Sequence, residues 1–226
     1  MEGPLIQARA AADRLAGGPG ARMRGQVIAS PAAFSLAKNT GQPAEELAAA
    51  LAQRLALEGT CFTAVQAQGG YLNFTLAPGW YRSVEDAALL AEYPARNMQH
   101  PAAIPAYPAA IHPLDWRLLT LLGRGEAPAP GLAARQDGEN PGWLLRYTAR
   151  RLAAFGGDTP SEGYTAEEQA LLLRLAECLE QTGGSLPLAK SLLRAAEAVW
   201  RITPQRLPPR TALAACRVLE QGLRSL

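Results

Sequence analysis

One change in hydrophobic periodicity constrains the fold of this chain more than any other feature. Over most of the sequence apolar residues recur at helical spacing, but over residues 61–76 they alternate with polar residues. Residues 61–67 and 71–76 are therefore predicted as strands, and the Gln68-Gly69-Gly70 segment between them as a hairpin turn. A hairpin set among helices predicts an α+β module at the N-terminal end of the chain.

Helices are predicted on both sides of this hairpin. Proline or capping residues stand where they begin, and glycine follows several of them. Their predicted bounds are residues 4–16, 31–40, from 43 to near 59, and 78–93. Ile6 and Phe34 are among the apolar residues that recur at helical spacing in the first two of these helices. Together with the hairpin, these helices make up a predicted α+β domain over residues 1–93.

The composition changes after residue 93. Residues 94–139 are rich in proline and glycine and are predicted as a connector that holds one short helix over residues 114–122. Helical periodicity dominates residues 140–226, which are predicted as an all-α helical bundle. Thr165 is expected to cap one of its helices, with Glu168 at the position that completes a capping box.

The first helix of the bundle carries one candidate site. Asn140 is predicted as its N-cap and Pro141 as its first residue, where proline costs no backbone hydrogen bond. The helical register places Leu144, Leu145, Thr148, Leu152 and Phe155 on one side. It places Trp143, Arg146, Tyr147 and Arg150 on the other. Aromatic rings flanked by guanidinium groups can stack an unpaired base and pair its phosphate, although aromatics at this spacing also commonly pack under a neighbouring helix.

The second predicted strand carries another candidate site. Its core-facing residues are predicted to be Leu72, Phe74 and Leu76. Tyr71, Asn73 and Thr75 then point the other way. A tyrosine ring beside an asparagine amide offers a stacking plane and a hydrogen-bonding group to a single base. An ordinary polar strand face is the alternative interpretation of the same pattern.

The charge and cysteine content of the sequence limit the classes of function that this protein can have. The formal net charge is only +2, with 20 arginines and two lysines, so binding to a polyanion would require a locally basic surface. Cys61, Cys178 and Cys216 lie far apart and lack zinc-ligand spacing, so we expect reduced thiols, with no metal site and no cofactor. The sequence has neither a basic-then-apolar leader nor an apolar stretch of about 20 residues, which predicts a cytoplasmic protein without a membrane partner.

Residues 140–151 resemble the start of the DALR-type anticodon-binding domain of arginyl-tRNA synthetases. The family pattern runs Asn-Pro-Val-Tyr-Tyr-Val-Gln-Tyr-Ala-His-Ala-Arg, and the residues that match it are Asn140, Pro141, Tyr147 and Arg151. The closing Val218-Leu219-x-x-Gly222-Leu223 is similar to the end of the same domain. The resemblance implies contacts with an anticodon loop through Trp143, Arg146, Tyr147, Arg150, Arg151 and Trp200.

Residues 24–81 are similar to the N-terminal additional domain of the same family. The resemblance lies in the order of Leu36-Ala37-Lys38, Pro43-Ala44-Glu45, Gly70-Tyr71-Leu72-Asn73-Phe74 and Trp80. In the family this domain contacts the D-loop at the corner of the tRNA. Carried over by position, the resemblance implies that Tyr71 and Asn73 make this contact.

The catalytic motifs of the family are missing from the sequence between these two regions. The synthetases use His-x-Gly-His and Lys-Met-Ser-Lys-Ser to hold ATP, whereas this chain has only His100 and His112, and only Lys38 and Lys190. The sequence thus predicts a non-enzymatic tRNA-binding protein, with arginine tRNA as the partner that the resemblance implies. The alternative is a synthetase-derived protein-interaction module that binds a synthetase or a second copy of itself.

Overall fold

The computed structural model of this chain describes residues 3–91, 111–123, 126–159, 161, 163–181, 185–202 and 206–226. Its contacts divide the chain into two compact units, Met1–Val84 and Glu85–Leu226. The first unit contains a sheet with helices, and the second is largely helical. This confirms the predicted fold class. Tyr93 and residues 94–110, which include much of the predicted connector, lie outside the described residues.

The described strands of the first unit form one four-stranded antiparallel sheet. The strands are β1 (Arg22–Arg24), β2 (Val27–Ser30), β3 (Phe62–Gln68) and β4 (Tyr71–Leu76), and their order in the sheet is β1-β2-β4-β3. The β3–β4 hairpin confirms the strands predicted from the alternating pattern. Strands β1 and β2 were not predicted, because three or four residues are too short to show a period of two.

Helices of the first unit pack against this sheet. The helices of this unit are α1 (Pro4–Ala16), α2 (Ala32–Thr40), α3 (Ala44–Arg54) and α4 (Pro78–Leu90), which begins in this unit. Ile28, Leu72 and Phe74 are fully buried in the core. The indole Nε1 of Trp80 donates a hydrogen bond to the Pro4 carbonyl at 3.0 Å and so fixes the start of α4 to the start of α1.

Two of the apolar residues at helical spacing lie at the surface. Ile6 is 39% exposed and Phe34 is 38% exposed. The face that α1 buries consists mainly of alanines, Ala8, Ala12 and Ala16, which allow the helix to approach the sheet closely. The predicted end of α3 near Gly59 was wrong, since the helix ends at Arg54.

The second unit contains the remaining helices that the structure describes. They are α5 (Pro113–Leu122), α6 (Pro130–Ala133), α7 (Pro141–Ala153), α8 (Ala166–Leu179), α9 (Ser185–Arg201) and α10 (Pro209–Ser225). Fully buried leucines, among them Leu145, Leu152 and Leu188, form its core. The capping box of Thr165 and Glu168 is confirmed. Phe155, which the helical register placed on the same side as Leu145 and Leu152, lies beyond the end of α7 and is exposed.

Helices α5 and α6 occupy part of the region predicted as a connector. The prediction of one short helix identified α5, whereas α6 was missed because it spans only one turn. Trp116 and Leu119 of α5 form a small buried cluster with Ile111 and Ala133. Helix α5 also contacts α7 and α9, so these residues belong to the packing of the second unit.

Candidate nucleic-acid interface

The outward face of the sheet in the first unit carries one set of the predicted site residues. Pairing in the sheet places Tyr71 opposite Gln68 and Asn73 opposite Gln66, and paired residues point to the same face. The side-chain Nδ2 of Asn73 donates a long hydrogen bond of 3.5 Å to Oε1 of Gln68. Tyr71 and three carboxamide groups therefore share this face, as the strand pattern predicted for Tyr71 and Asn73.

Arg24 holds the ring of Tyr71 in place. Its Nη2 donates a hydrogen bond to the Tyr71 hydroxyl at 3.3 Å, and its Cζ lies 4.3 Å from the centroid of the ring. The ring of Phe34 contacts Tyr71 edge-on at a centroid distance of 5.0 Å. A cation beside an aromatic ring provides a phosphate partner next to a stacking plane. We call Arg22, Arg24, Gln66, Gln68, Tyr71 and Asn73 the sheet surface.

Sequence reasoning missed the two arginines of the sheet surface. Both lie on β1, and its register places Arg22 opposite Ala29, which in turn pairs with Asn73. The available signal was the alternation in Arg22-Met23-Arg24, which puts both guanidinium groups on one face of any strand formed there. Only the pairing of β2 with β4 shows that this face is also the face of Tyr71.

Gly70 is required where β4 begins. Its φ is +77°, in the left-handed region that favours glycine. A Cβ atom at this position would lie 2.7 Å from Cζ of Phe34 and 3.1 Å from Cβ of Ala44. The glycine thus permits both the turn of the hairpin and the position of the Phe34 ring against Tyr71.

Four of the predicted anticodon-side residues meet on the surface of the second unit. Tyr147 stacks nearly parallel on Trp143, with ring centroids 4.7 Å apart, and on Trp200, with centroids 5.7 Å apart. Nη1 of Arg151 donates a hydrogen bond to the Tyr147 hydroxyl at 3.2 Å, and its Cζ lies 5.3 Å from the Trp200 centroid. We call Trp143, Tyr147, Arg151 and Trp200 the aromatic surface.

This arrangement answers the question of whether the aromatics are packed or exposed. They pack on one another, and the Trp200 indole also donates a 2.8 Å hydrogen bond from Nε1 to Oγ1 of Thr148. Tyr147 nevertheless remains 36% exposed and Trp200 39% exposed. A base that bound here would extend an existing stack rather than meet a lone tyrosine ring.

Arg146 was predicted on the same side of α7 as Tyr147, but it pairs with Asp115 of α5. Its Nε and Nη2 donate hydrogen bonds to Oδ1 and Oδ2 of Asp115 at 3.0 and 2.7 Å. The Asp115 side chain is only 5% exposed, so this is a largely buried, two-pronged ion pair. Helical periodicity gave no sign of it, because Asp115 reaches Arg146 from another helix.

Asn140 fixes the geometry around this ion pair. Its Oδ1 accepts hydrogen bonds from the backbone N–H groups of Gly142 and Trp143, which confirms the predicted N-cap. Its Nδ2 donates to Oδ2 of Asp115 at 3.1 Å and to the carbonyls of Ala133 and Arg135. The buried amide therefore joins α5, the end of α6 and α7, and we assign it a structural role.

A cleft of about 300 Å³ adjoins the ion pair. Its polar lining includes His112, Asp115, Arg135, Arg146 and Arg150, and Trp143 also borders it. We call these six residues the arginine cleft. Burial, together with the cations of Arg146 and Arg150, lowers the pKa of His112, and the opposing effect of Asp115 is smaller. Its Nδ1 accepts a hydrogen bond from the backbone N–H of Leu114, which requires the unprotonated nitrogen.

The cysteines belong to neither the sheet surface nor the aromatic surface. All three are free thiols, and burial raises the pKa of Cys178 and raises that of Cys216 to about 11. Within the described residues, no group of three or more histidine, cysteine, aspartate or glutamate side chains is placed to hold a metal ion. No helix among the residues that the structure describes is long and apolar enough to cross a membrane.

Comparison with known proteins identifies the domain that contains the sheet. Residues 24–76, which run from the end of β1 through β4, match the family described as the arginyl tRNA synthetase N terminal domain. The chain therefore contains such a domain within its first unit. The family scan gave no match to a DALR anticodon-binding domain. Searches of curated proteins and of solved structures found no match to the chain.

Proposed function

We propose that this protein is a non-catalytic tRNA-binding protein whose ligand is an arginine tRNA. The observation that carries the proposal is the family match over residues 24–76, because it includes the whole strand that holds Tyr71 and Asn73. A domain of this family in a chain that lacks both ATP-binding motifs of the synthetases is suited to binding tRNA rather than charging it.

The chemistry of the sheet surface supports a contact with a tRNA loop. Proteins read unpaired RNA bases by stacking them on aromatic rings and by hydrogen-bonding their edges. The partly exposed ring of Tyr71 can stack a base, and the amide of Asn73 can hydrogen-bond to its edge. The Cζ atom of Arg24 places a positive charge 4.3 Å from the Tyr71 ring centroid. We assign this surface to the D-loop corner of the tRNA.

The aromatic surface supports the second proposed contact, with the anticodon loop. Anticodon bases are unpaired and can continue the stack that Trp143, Tyr147 and Trp200 already form. Arg151 lies against two of these rings and supplies the charge for a neighbouring phosphate. In this proposal phosphate contacts provide most of the affinity, and stacking determines which bases are preferred.

The first test is the retention of tRNA at two salt concentrations. Purified protein is incubated with total cellular tRNA at about 50 and 200 mM salt, and the retained RNA is sequenced. We expect arginine tRNAs to be enriched, with much weaker retention at the higher salt. The absence of retained RNA at the lower salt would overturn the proposal.

One observation favours a second candidate, a protein-interaction module. Exposed tryptophan and tyrosine beside arginine are also the residues that anchor protein interfaces, and Tyr147 is already engaged by two indoles. A partner of this kind would be a synthetase or a second copy of the chain. Salt dependence separates the candidates, because binding to RNA weakens with a log–log slope of about −0.7 to −0.9 per neutralised phosphate.

A further inference from the structure

The two proposed surfaces do not include Arg146 and Arg150 of the arginine cleft, although the resemblance implies that both contact an anticodon loop. Only Trp143 belongs to both the cleft and the aromatic surface. Arg146 and Arg150, one helical turn apart on α7, line the cleft together. The question is what kind of group two neighbouring guanidinium groups would hold there.

The pairing of Arg146 with Asp115 prepares the guanidinium group to bind something else. A guanidinium group carries five N–H donors, and the pairing through Nε and Nη2 uses two of them. Within the part of the chain that the structure describes, the remaining donors of Arg146, including both on Nη1, have no other partner. The ion pair fixes the plane of the group, so these donors are held in a set direction at low entropic cost.

The carboxylate of Asp115 does not make the cleft unsuitable for an anion. Both of its oxygens accept hydrogen bonds from Arg146, and Oδ2 accepts another from Asn140. Its charge is therefore compensated within the protein. Arg135 pairs with two carboxylates, those of Asp137 and Glu139, so these three side chains together carry one negative charge.

Arg150 supplies a second cation to the cleft. It is exposed, and among the described residues it forms neither a hydrogen bond nor an ion pair. The cleft thus combines a fixed guanidinium group with a second cation one turn away. Arginine donors recognise phosphate oxygens in this way.

We propose that the arginine cleft binds the phosphate group of a nucleotide, with Arg146 and Arg150 as donors. Its volume of about 300 Å³ lies at the lower end for small-ligand sites, which suits one nucleotide unit. The unit is either free in solution or part of an RNA chain. The inference therefore does not depend on the proposed function.

Calorimetric titration of the full chain with 5′-AMP and with adenosine tests the proposal. We expect 5′-AMP to bind more tightly than adenosine, and Arg150→Gln to weaken 5′-AMP binding by about tenfold, as for a lost charged hydrogen bond. Arg150 is substituted rather than Arg146, because replacing Arg146 would leave Asp115 without its partner. Arg217→Gln is the matched control, since Arg217 is exposed on α10 and does not line the cleft.

A second measurement identifies the source of the nucleotide. If the phosphate belongs to RNA, Arg150→Gln should reduce the log–log slope of tRNA affinity against salt concentration by about 0.7–0.9 in magnitude. Arg217→Gln should leave this slope unchanged. The inference is overturned if Arg150→Gln matches Arg217→Gln in both measurements. If the protein binds 5′-AMP but not tRNA, the proposed function alone is overturned. If the protein binds tRNA and Arg150→Gln weakens neither tRNA binding nor 5′-AMP binding, this inference alone is overturned.

Discussion

At the scale of single residues, the proposed contacts rest on a few aromatic side chains that polar neighbours hold in place. Tyr71 is contacted by Arg24 and Phe34, and Tyr147 is contacted by two indoles and Arg151. Ordered side chains of this kind lose little conformational entropy on binding. Their removal should therefore change the affinity for RNA more than the stability of the fold.

Tyr71→Ala should weaken tRNA binding by about 1–3 kcal/mol, the range for a lost base–aromatic stack. The measurement is a filter-binding or calorimetric titration with arginine tRNA. Thr75→Ala is the control, because Thr75 is exposed on the same strand and has no ring. Equal affinities of the two variants would contradict a role for Tyr71 in recognition.

Tyr147→Ala should weaken the same binding by about 1–3 kcal/mol, for two reasons. It removes a ring from the stack, and it deprives Arg151 of its hydrogen bond to the tyrosine hydroxyl. Tyr147→Phe separates these effects, because it keeps the ring and removes only the hydroxyl. If Tyr147→Ala bound as tightly as the unaltered protein, the aromatic surface would have no part in tRNA binding.

At the scale of elements, the contact between α5 and α7 is the most tightly constrained. Gly142, in the first turn of α7, lies directly against Asp115. A Cβ atom there would come within 2.6 Å of the Asp115 Cα, and a backbone atom cannot rotate away. Gly142 therefore allows the close approach that lets Asp115 meet both Asn140 and Arg146.

Gly142→Ala should lower the free energy of unfolding by about 1–3 kcal/mol, as overpacking does in a filled core. Urea unfolding followed by circular dichroism measures the change. Gly131→Ala is the matched control, since nothing lies within 4 Å of a Cβ at that position of α6. A Gly142→Ala protein as stable as the Gly131→Ala protein would show that α5 and α7 do not pack this closely.

The N-cap of α5 should make stability depend on pH. His112 has a pKa below its ordinary value of 6.5, so the unfolded chain binds a proton more readily than the folded chain. Stability from this residue is therefore present above pH 6.5 and is lost as the pH falls below it. Protonation would also remove the acceptor for the Leu114 N–H.

His112→Asn provides the test of this pH dependence. Asparagine is a good N-cap and does not titrate. Urea unfolding at pH 7.5 and pH 5.5 should show a smaller loss of stability for the variant than for the unaltered protein. The same loss in both proteins would exclude His112 as the source.

The parts of these elements that could be predicted from the sequence are the local ones. The capping box at Thr165, the cap at Asn140 and the β3–β4 hairpin each depend on residues close together in the chain. Strand β2 could not be found in this way, because what makes it a strand is its pairing with β4, more than forty residues later. The pairing of Arg146 with Asp115 could not be predicted for the same reason, since Asp115 lies on α5.

At the scale of the whole molecule, the chain consists of two units that each carry one proposed tRNA contact. If both contacts engage a single tRNA, the complex contains one protein and one tRNA, and the affinity reflects both surfaces. Analytical ultracentrifugation should then give a 1:1 complex. A complex with two tRNA molecules per chain would show that the two surfaces act independently.

The Asp115–Arg146 pair has an evolutionary consequence. Loss of either partner leaves a largely buried charge uncompensated. During evolution the residues at these two positions should therefore change together or not at all, whatever the protein binds. Arg150 has no such partner among the described residues, and only a ligand would restrain its drift. In a set of related sequences, persistence at position 146 would thus record selection for folding, whereas persistence at position 150 would record selection for what the cleft holds.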